Sequence, residues 1–232
     1  YEAVKLIEGE EYIEVDGFRD DVWDNAYVIH DLYEDKQDSL LEILAECKKA
    51  GNPDMVYKFA STSKITFPGS GIAAFGASKN NIDFVKSIIT IQTIGHDKLN
   101  QLRHVRYFKN IEGMKNHMKK HAKILRPKFE LVDRKLTEQL DGLEIGTWTK
   151  PIGGYFVSFN SLDGCAKEIV SLCKEAGVTM TGAGATYPYK KDPHDSNIRI
   201  APTFPPIDEL STAIDIFVVA VKLSSVKKLM EE

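Results

Sequence analysis

Lys64 has the surroundings in this chain that best suit covalent chemistry. It closes the run Ser61-Thr62-Ser63-Lys64, and Phe67-Pro68-Gly69-Ser70-Gly71 follows after two residues. A lysine just behind a buried strand is desolvated. Desolvation disfavours its charged form, and a neutral amine is the species that adds to a carbonyl. The hydroxyls and glycine amides around it could bind an anion such as a phosphate. Taken alone, the same run also suits an ordinary surface loop. A nucleotide-type P-loop is excluded, because GxxxxGK[ST] is absent.

Two other stretches carry candidate groups. Trp23-Asp24-Asn25-Ala26-Tyr27 lies about 40 residues before Lys64. On a strand, Asp24 and Ala26 share one face and Tyr27 takes the other, unless the chain bends at the strand's end. At such an end both side chains can turn into the crevice where α/β proteins bind ligands. A buried capping aspartate and a core tyrosine are the plainer alternative. In Asn197-Ile198-Arg199-Ile200, an arginine between two isoleucines on a buried strand needs an anion to compensate it. That anion is either an internal carboxylate or a bound one, and arginine suits bidentate carboxylate recognition.

The elements that must position these residues read as alternating strands and helices. Residues 24–29 read as the end of a buried strand, 39–50 as a helix, 55–60 and 72–77 as strands, and 81–94 as a helix. That alternation predicts βαβ units and a mostly parallel sheet. Residues 99–140 are helical and highly charged, giving two helices or one long helix bent near Pro127. A compact α/β unit follows, with strands at 154–159, 178–181 and 198–201, a helix over 162–176 and a terminal amphipathic helix over 207–230.

The chain has 232 residues, 43% of them hydrophobic and 28% charged, with a net charge of -4. This is the mixture of a globular protein, and the acidic balance argues against nucleic-acid binding. The basic cluster over 115–128 is interrupted by apolar residues and reads as one solvated helix face. No stretch approaches the ~20 apolar residues of a membrane helix. The acidic, mixed residues 1–14 do not resemble a secretory leader, and Cys47, Cys165 and Cys173 form no disulfide framework. A cytoplasmic protein is expected. His117 and His121 stand four apart on a helix, but no third ligand is evident, so no metal site is expected.

Asp-x-x-Tyr, then Ser-x-x-Lys, then a late arginine on a strand resembles the class I/II pyridoxal-phosphate-dependent aminotransferases. The segments DNAYVIHDL, KFASTSKITFPGSGIAAF, QTIGHDKLNQLRHVRYF, GGYFVSF and NIRIAPTFPP are similar to the bacterial aspartate-aminotransferase-like subgroup sometimes called Ic. The likeness runs from about Phe18 to the C-terminus. It implies an α/β fold, the C-terminal part of a PLP-transferase fold: the remaining strands of the large sheet over 1–105, connecting helices over 106–140, and a small α/β domain over 141–232.

The resemblance also implies residue roles. Lys64 forms the Schiff base with pyridoxal 5'-phosphate and shuttles the proton. Asp24 pairs with the pyridine nitrogen, Tyr27 hydrogen-bonds the phenolic oxygen, Ser61 contacts the phosphate with help from Ser63, and Arg199 grips the substrate α-carboxylate. Many relatives carry a second phosphate-binding arginine eight residues after the lysine; here that position is Ile72, and the amides of Gly69, Ser70 and Gly71 would stand in. Residues 91–100 fall where relatives reach toward a partner subunit, so His96 or Lys98 contributes there or lies in a solvated loop. The implied partners are an amino acid, aspartate or another dicarboxylate first, a 2-oxo acid, and a second copy in a homodimer. The same machinery serves PLP lyases. The family's upstream half has no room before Asp24, so the chain is expected to be a fragment that alone binds cofactor poorly and turns over little.

Overall fold

Short β-branched and aromatic runs bounded by Gly, Asn and Pro become strands, and the amphipathic runs between them become helices. The computed structural model describes residues 21–27 and 29–231, with Asp21 described by its backbone alone. The segment over 1–14, read above for a leader, lies outside the described residues, as does Val28. The chain divides into two compact units. One takes the described residues of Tyr1–Ile29 together with Asp38–Met118; the other takes His30–Gln37 and Lys119–Glu232.

In the first unit, β1 (Asp21–Asp24) pairs in parallel with β2 (Val56–Ser61), with Asp24 opposite Phe59. β3 (Ala73–Gly76) pairs antiparallel with β2, with Ser61 opposite Ala73. Strand β1 thus ends at Asp24 rather than running through to residue 29, and the bend there removes the strict alternation of Asp24 and Tyr27. Helix α1 (Ile43–Lys49) buries Ile43 and Cys47 against Val56. It starts later than its apolar pattern predicts, because the Glu42 carboxylate caps it by accepting from the Ala45 N–H at 2.9 Å. Leu40 and Leu41, counted in that pattern, are exposed. Helix α2 (Lys79–Gln92) is capped by Ser78, and α3 (Lys98–Phe108) by Asp97.

The stretch over 99–140 forms two helices, the first of the two alternatives above, and the break between them falls at Lys109. Lys109 closes α3 with φ +63°, and the Asn110 side chain accepts from the Gly113 N–H to start α4 (Ile111–Leu140). Position 113 admits only glycine, since a Cβ there would stand 1.8 Å from the Phe108 carbonyl oxygen. Pro127 is tolerated inside α4 because it lies on the exposed face, where water can satisfy the carbonyl of exposed Lys123 that loses its donor.

In the second unit, β4 (Gly146–Trp148), β5 (Val157–Ser161) and β6 (Asn197–Ile200) form an antiparallel sheet in that order. Val157, Phe159, Ile198 and Ile200 enter a core shared with Val132 and Leu136 of α4, Ile169 of α5 (Ala166–Glu175), and Phe217, Val218 and Val221 of α6 (Ile207–Met230). Phe159 stacks on Trp148 and meets Phe217 edge-on at 5.0 Å. His30–Gln37 joins this unit by a bridge between Asp31 and Gly153 and by bonds between Leu32 N and Ile152 O and between Gly154 N and His30 O, both 2.9 Å. Residues 178–181, expected as a strand, have no ladder partner. Val178 and Met180 still lean on the core, which produces strand-like alternation without a strand. Among the described residues no helix is long and apolar enough to cross a membrane.

Candidate active site

The parallel pair β1 and β2 delivers two candidate groups to one end of a sheet. Asp24 is the last residue of β1, and Ser61 is the last of β2. Asp24 is exposed. One carboxylate oxygen accepts from the Ala26 N–H at 3.1 Å, and the turn so formed carries half-buried Tyr27. The Asn25 N–H donates to Phe59 O at 2.8 Å, tying that turn to β2.

Beyond β2 the chain forms a loop that returns at β3. Thr62 closes its base: the Thr62 N–H donates to Ile72 O at 2.9 Å, and the Ile72 N–H donates to Thr62 Oγ1 at 2.8 Å. Ser61 Oγ and Ser63 Oγ share a hydrogen at 2.6 Å, and the Ser63 N–H donates to Ser61 Oγ at 3.1 Å. Gly71 approaches this pair so closely that a Cβ would meet Ser63 Oγ at 2.8 Å. Lys64 follows, and it is exposed. The buried setting expected for it is absent in this chain, because β2 is itself buried only at Val56 and the sheet leaves Phe59 and Ala60 exposed.

Residues missed in the sequence hold the loop from beneath. Asn100 Nδ2 donates to Ser70 O at 2.9 Å and to Gly71 O at 3.2 Å, and buried His104 lies against Thr62 and Thr66. Both come from α3, inside the stretch LNQLRHVRYF, and local spacing gave no signal for them. His117 is engaged structurally rather than poised for a metal: Nε2 lies 2.8 Å from Ile65 O, and Nδ1 lies 3.1 Å from the Tyr107 hydroxyl.

Arg199 belongs to the second unit. Strand alternation sends Ile198 and Ile200 into the core and leaves Asn197 and Arg199 on the other face, opposite Asn160 and Ser158 of β5. The guanidinium lies over the Phe156 ring, 4.4 Å from its centroid. Its buried Nε has no hydrogen-bond partner among the described residues, and none of the ion pairs there includes Arg199. The internal carboxylate considered above is therefore not its partner among those residues. Arg199 lines a groove of about 770 Å³ with Met180, Thr181, Phe204, Leu210 and Phe217. Beside it, Asn197 Nδ2 donates to Ser158 Oγ at 3.0 Å and to Asn160 Oδ1 at 2.8 Å, while Asn197 Oδ1 accepts from the Thr186 hydroxyl at 2.6 Å.

The two α/β units and their sheets are those of known structures. The chain is similar to the structure of an aspartate transaminase from Corynebacterium glutamicum, with a TM-score of 0.85 at 41% identity over 89% of this chain and 49% of that one. The fold also matches α-aminoadipate aminotransferase from Thermus thermophilus, with a TM-score of 0.70 at 19% identity over 88% of this chain and 50% of that one. The class is thus an α/β protein with the architecture of the C-terminal part of a PLP-transferase fold. By sequence, the chain belongs to the aspartate amino-transferase family, whose model matches residues 17–232. A curated relative, the aspartate aminotransferase of Corynebacterium glutamicum, is 43% identical over 194 residues, covering 84% of this chain and 45% of the relative. The chain therefore spans about half the length of that relative.

Proposed function

We propose that this chain carries the cofactor-anchoring and carboxylate-binding residues of a pyridoxal-phosphate-dependent aminotransferase acting on an amino acid, aspartate or another dicarboxylate, and a 2-oxo acid. The observation that carries this reading is the loop after β2, which sets the paired hydroxyls of Ser61 and Ser63 and the amine of Lys64 beyond the end of a strand parallel to the one that ends in Asp24. Family membership supports it.

The residues fit pyridoxal phosphate. The Ser61 and Ser63 hydroxyls are donors for a phosphate, and glycine at 71 leaves them room that a Cβ would fill. The Asp24 carboxylate uses one oxygen on its own turn and can accept a further proton donor such as a pyridinium. When bound, the cofactor supplies an electron sink for the carbanion that forms at the substrate Cα. Lys64 anchors the cofactor and moves the proton at Cα. Tyr27 holds the phenolic oxygen. Arg199, pre-oriented on Phe156, takes the substrate α-carboxylate with parallel N–H donors.

Asp24, Ser63 and Lys64 are all exposed here, so water screens their charge interactions. The 232 residues by themselves are expected to hold the cofactor weakly and to turn over little; a homodimer of the whole protein would enclose the site. Borohydride reduction in excess pyridoxal phosphate, followed by peptide mapping, tests the assignment. The pyridoxyl group is expected on Lys64 and is lost in Lys64→Ala. Labelling spread over surface lysines with Lys64 unmodified refutes it.

A further inference from the structure

We propose that His104 is a positioning residue for the Lys64 loop, acting through the Thr62 hydroxyl. The inference rests on the reading of that loop as the cofactor-anchoring segment. The stretch between β2 and β3 is long for a hairpin connection and would sample many conformations unless side chains hold it. His104 is 9% exposed and packs beside Phe108. An imidazole placed there must have its nitrogens satisfied.

The partners determine the arrangement of hydrogens. Nδ1 lies 2.9 Å from the carbonyl oxygen of Asn100, which can only accept, so Nδ1 carries the hydrogen. Nε2 is then an acceptor, 3.1 Å from Thr62 Oγ1 and 3.2 Å from Thr66 Oγ1. Thr66 donates its hydroxyl hydrogen to Thr62 O at 3.1 Å. Thr62 Oγ1 accepts from the Ile72 N–H, which leaves its own hydrogen to donate to His104. The Nδ1–H tautomer thus completes a chain running from α3 through the ring to the base of the loop.

The ring thereby anchors the first residue of a tight turn: the Ile65 and Thr66 N–H groups both donate to Thr62 O at 2.9 Å. Ser61 and Ser63, on either side of Thr62, meet each other at 2.6 Å, and Lys64 lies within the turn that Thr62 opens. Without the acceptor at Nε2, the Thr62 hydroxyl has no fixed direction, and the bond that closes the loop's base at Ile72 weakens.

The test separates the two ring nitrogens. In His104→Gln the side-chain amide oxygen can take the place of Nε2 and accept from Thr62. In His104→Asn the shorter amide reaches only the Asn100 side, and His104→Leu has neither function. In the 232-residue chain without cofactor, amide hydrogen exchange at Thr62 and Ile72 is expected to quicken roughly fivefold to tenfold in the Leu and Asn variants, as for loss of one hydrogen bond. The Gln variant should stay near the wild-type rate. The Asn25 amide, bonded to Phe59 O outside this network, reports whether the unit remains folded. Lys64 labelling by pyridoxal phosphate and borohydride should slow in the Leu and Asn variants and recover in the Gln variant.

Unchanged exchange in His104→Leu with the Asn25 amide protected overturns the proposal. So does an Asn variant that behaves like wild type, or labelling that ignores loosened exchange. Wild-type protein that fails to label at Lys64 instead overturns the cofactor reading and, with it, the role of His104 toward the cofactor; the exchange measurement still decides whether the ring pins the loop.

Discussion

Replacing Asn197 by alanine should destabilise the second unit by about 2–3 kcal/mol, at roughly 1 kcal/mol for each side-chain hydrogen bond lost. Asn197 is 7% exposed and makes three side-chain bonds, to Ser158, Asn160 and Thr186. The sum is not larger because Asn160 and Thr186 are exposed, so water takes over their released groups, whereas half-buried Ser158 recovers less completely. Urea unfolding followed by the fluorescence of Trp148 measures the loss. Trp148 belongs to the same unit, and a Trp23→Phe background makes it the sole tryptophan. Thr186→Val removes one of the three bonds and should cost about 1 kcal/mol. The double variant should then be less destabilised than the sum of the singles, because both remove the same bond. A loss below about 0.5 kcal/mol in Asn197→Ala, or strict additivity of the two substitutions, would refute Asn197 as the hub of this face.

Two further predictions concern the same unit. Gly146→Ala would set a Cβ 2.5 Å from Phe159 Cζ, and Phe159, fully buried between Trp148 and Phe217, has nowhere to move; a loss of about 1–3 kcal/mol in the same urea assay is expected. Burial raises the Cys173 thiol from 9.0 to about 11. The unfolded thiol ionises first as pH rises, so this contribution is intact below about pH 9 and is lost as pH climbs through about 11. Between about pH 8 and about pH 10 the wild type should lose about 1 kcal/mol more stability than Cys173→Val, and equal slopes in the two proteins would count against a buried thiol.

Local patterning carried much of this fold. The apolar spacing over 207–230 matches α6, because that helix is long and its buried positions repeat. β2 and β6 were legible from β-branched and aromatic residues bounded by turn formers. The misses have physical causes. β4 has three residues, too few for alternation to show, and Val178 and Met180 alternate without a neighbouring strand to bond. The stretch over 99–140 reads as two helices or one bent near Pro127; two helices form, and the place of their break at Lys109 was not legible because it depends on Asn110 and Gly113 starting a new helix. Of the candidate site, Lys64, Asp24 and Arg199 stood out by residue type. His104 and Asn197 did not, because a buried hub is defined by its partners: Thr62 lies 42 residues from His104, and Ser158 lies 39 from Asn197.

The bridge between Asp31 and Gly153 joins positions about 120 residues apart, so on a ribosome the segment that pairs with Gly153 emerges long before its mate. While synthesis continues, Leu32, 2% exposed in the finished protein, has no core to enter. The nascent chain must keep this piece in reserve as the residues of Asp38–Met118 organise. Closing so long a loop is entropically costly, and Leu32→Ala would weaken that closure without touching the groups proposed to do chemistry.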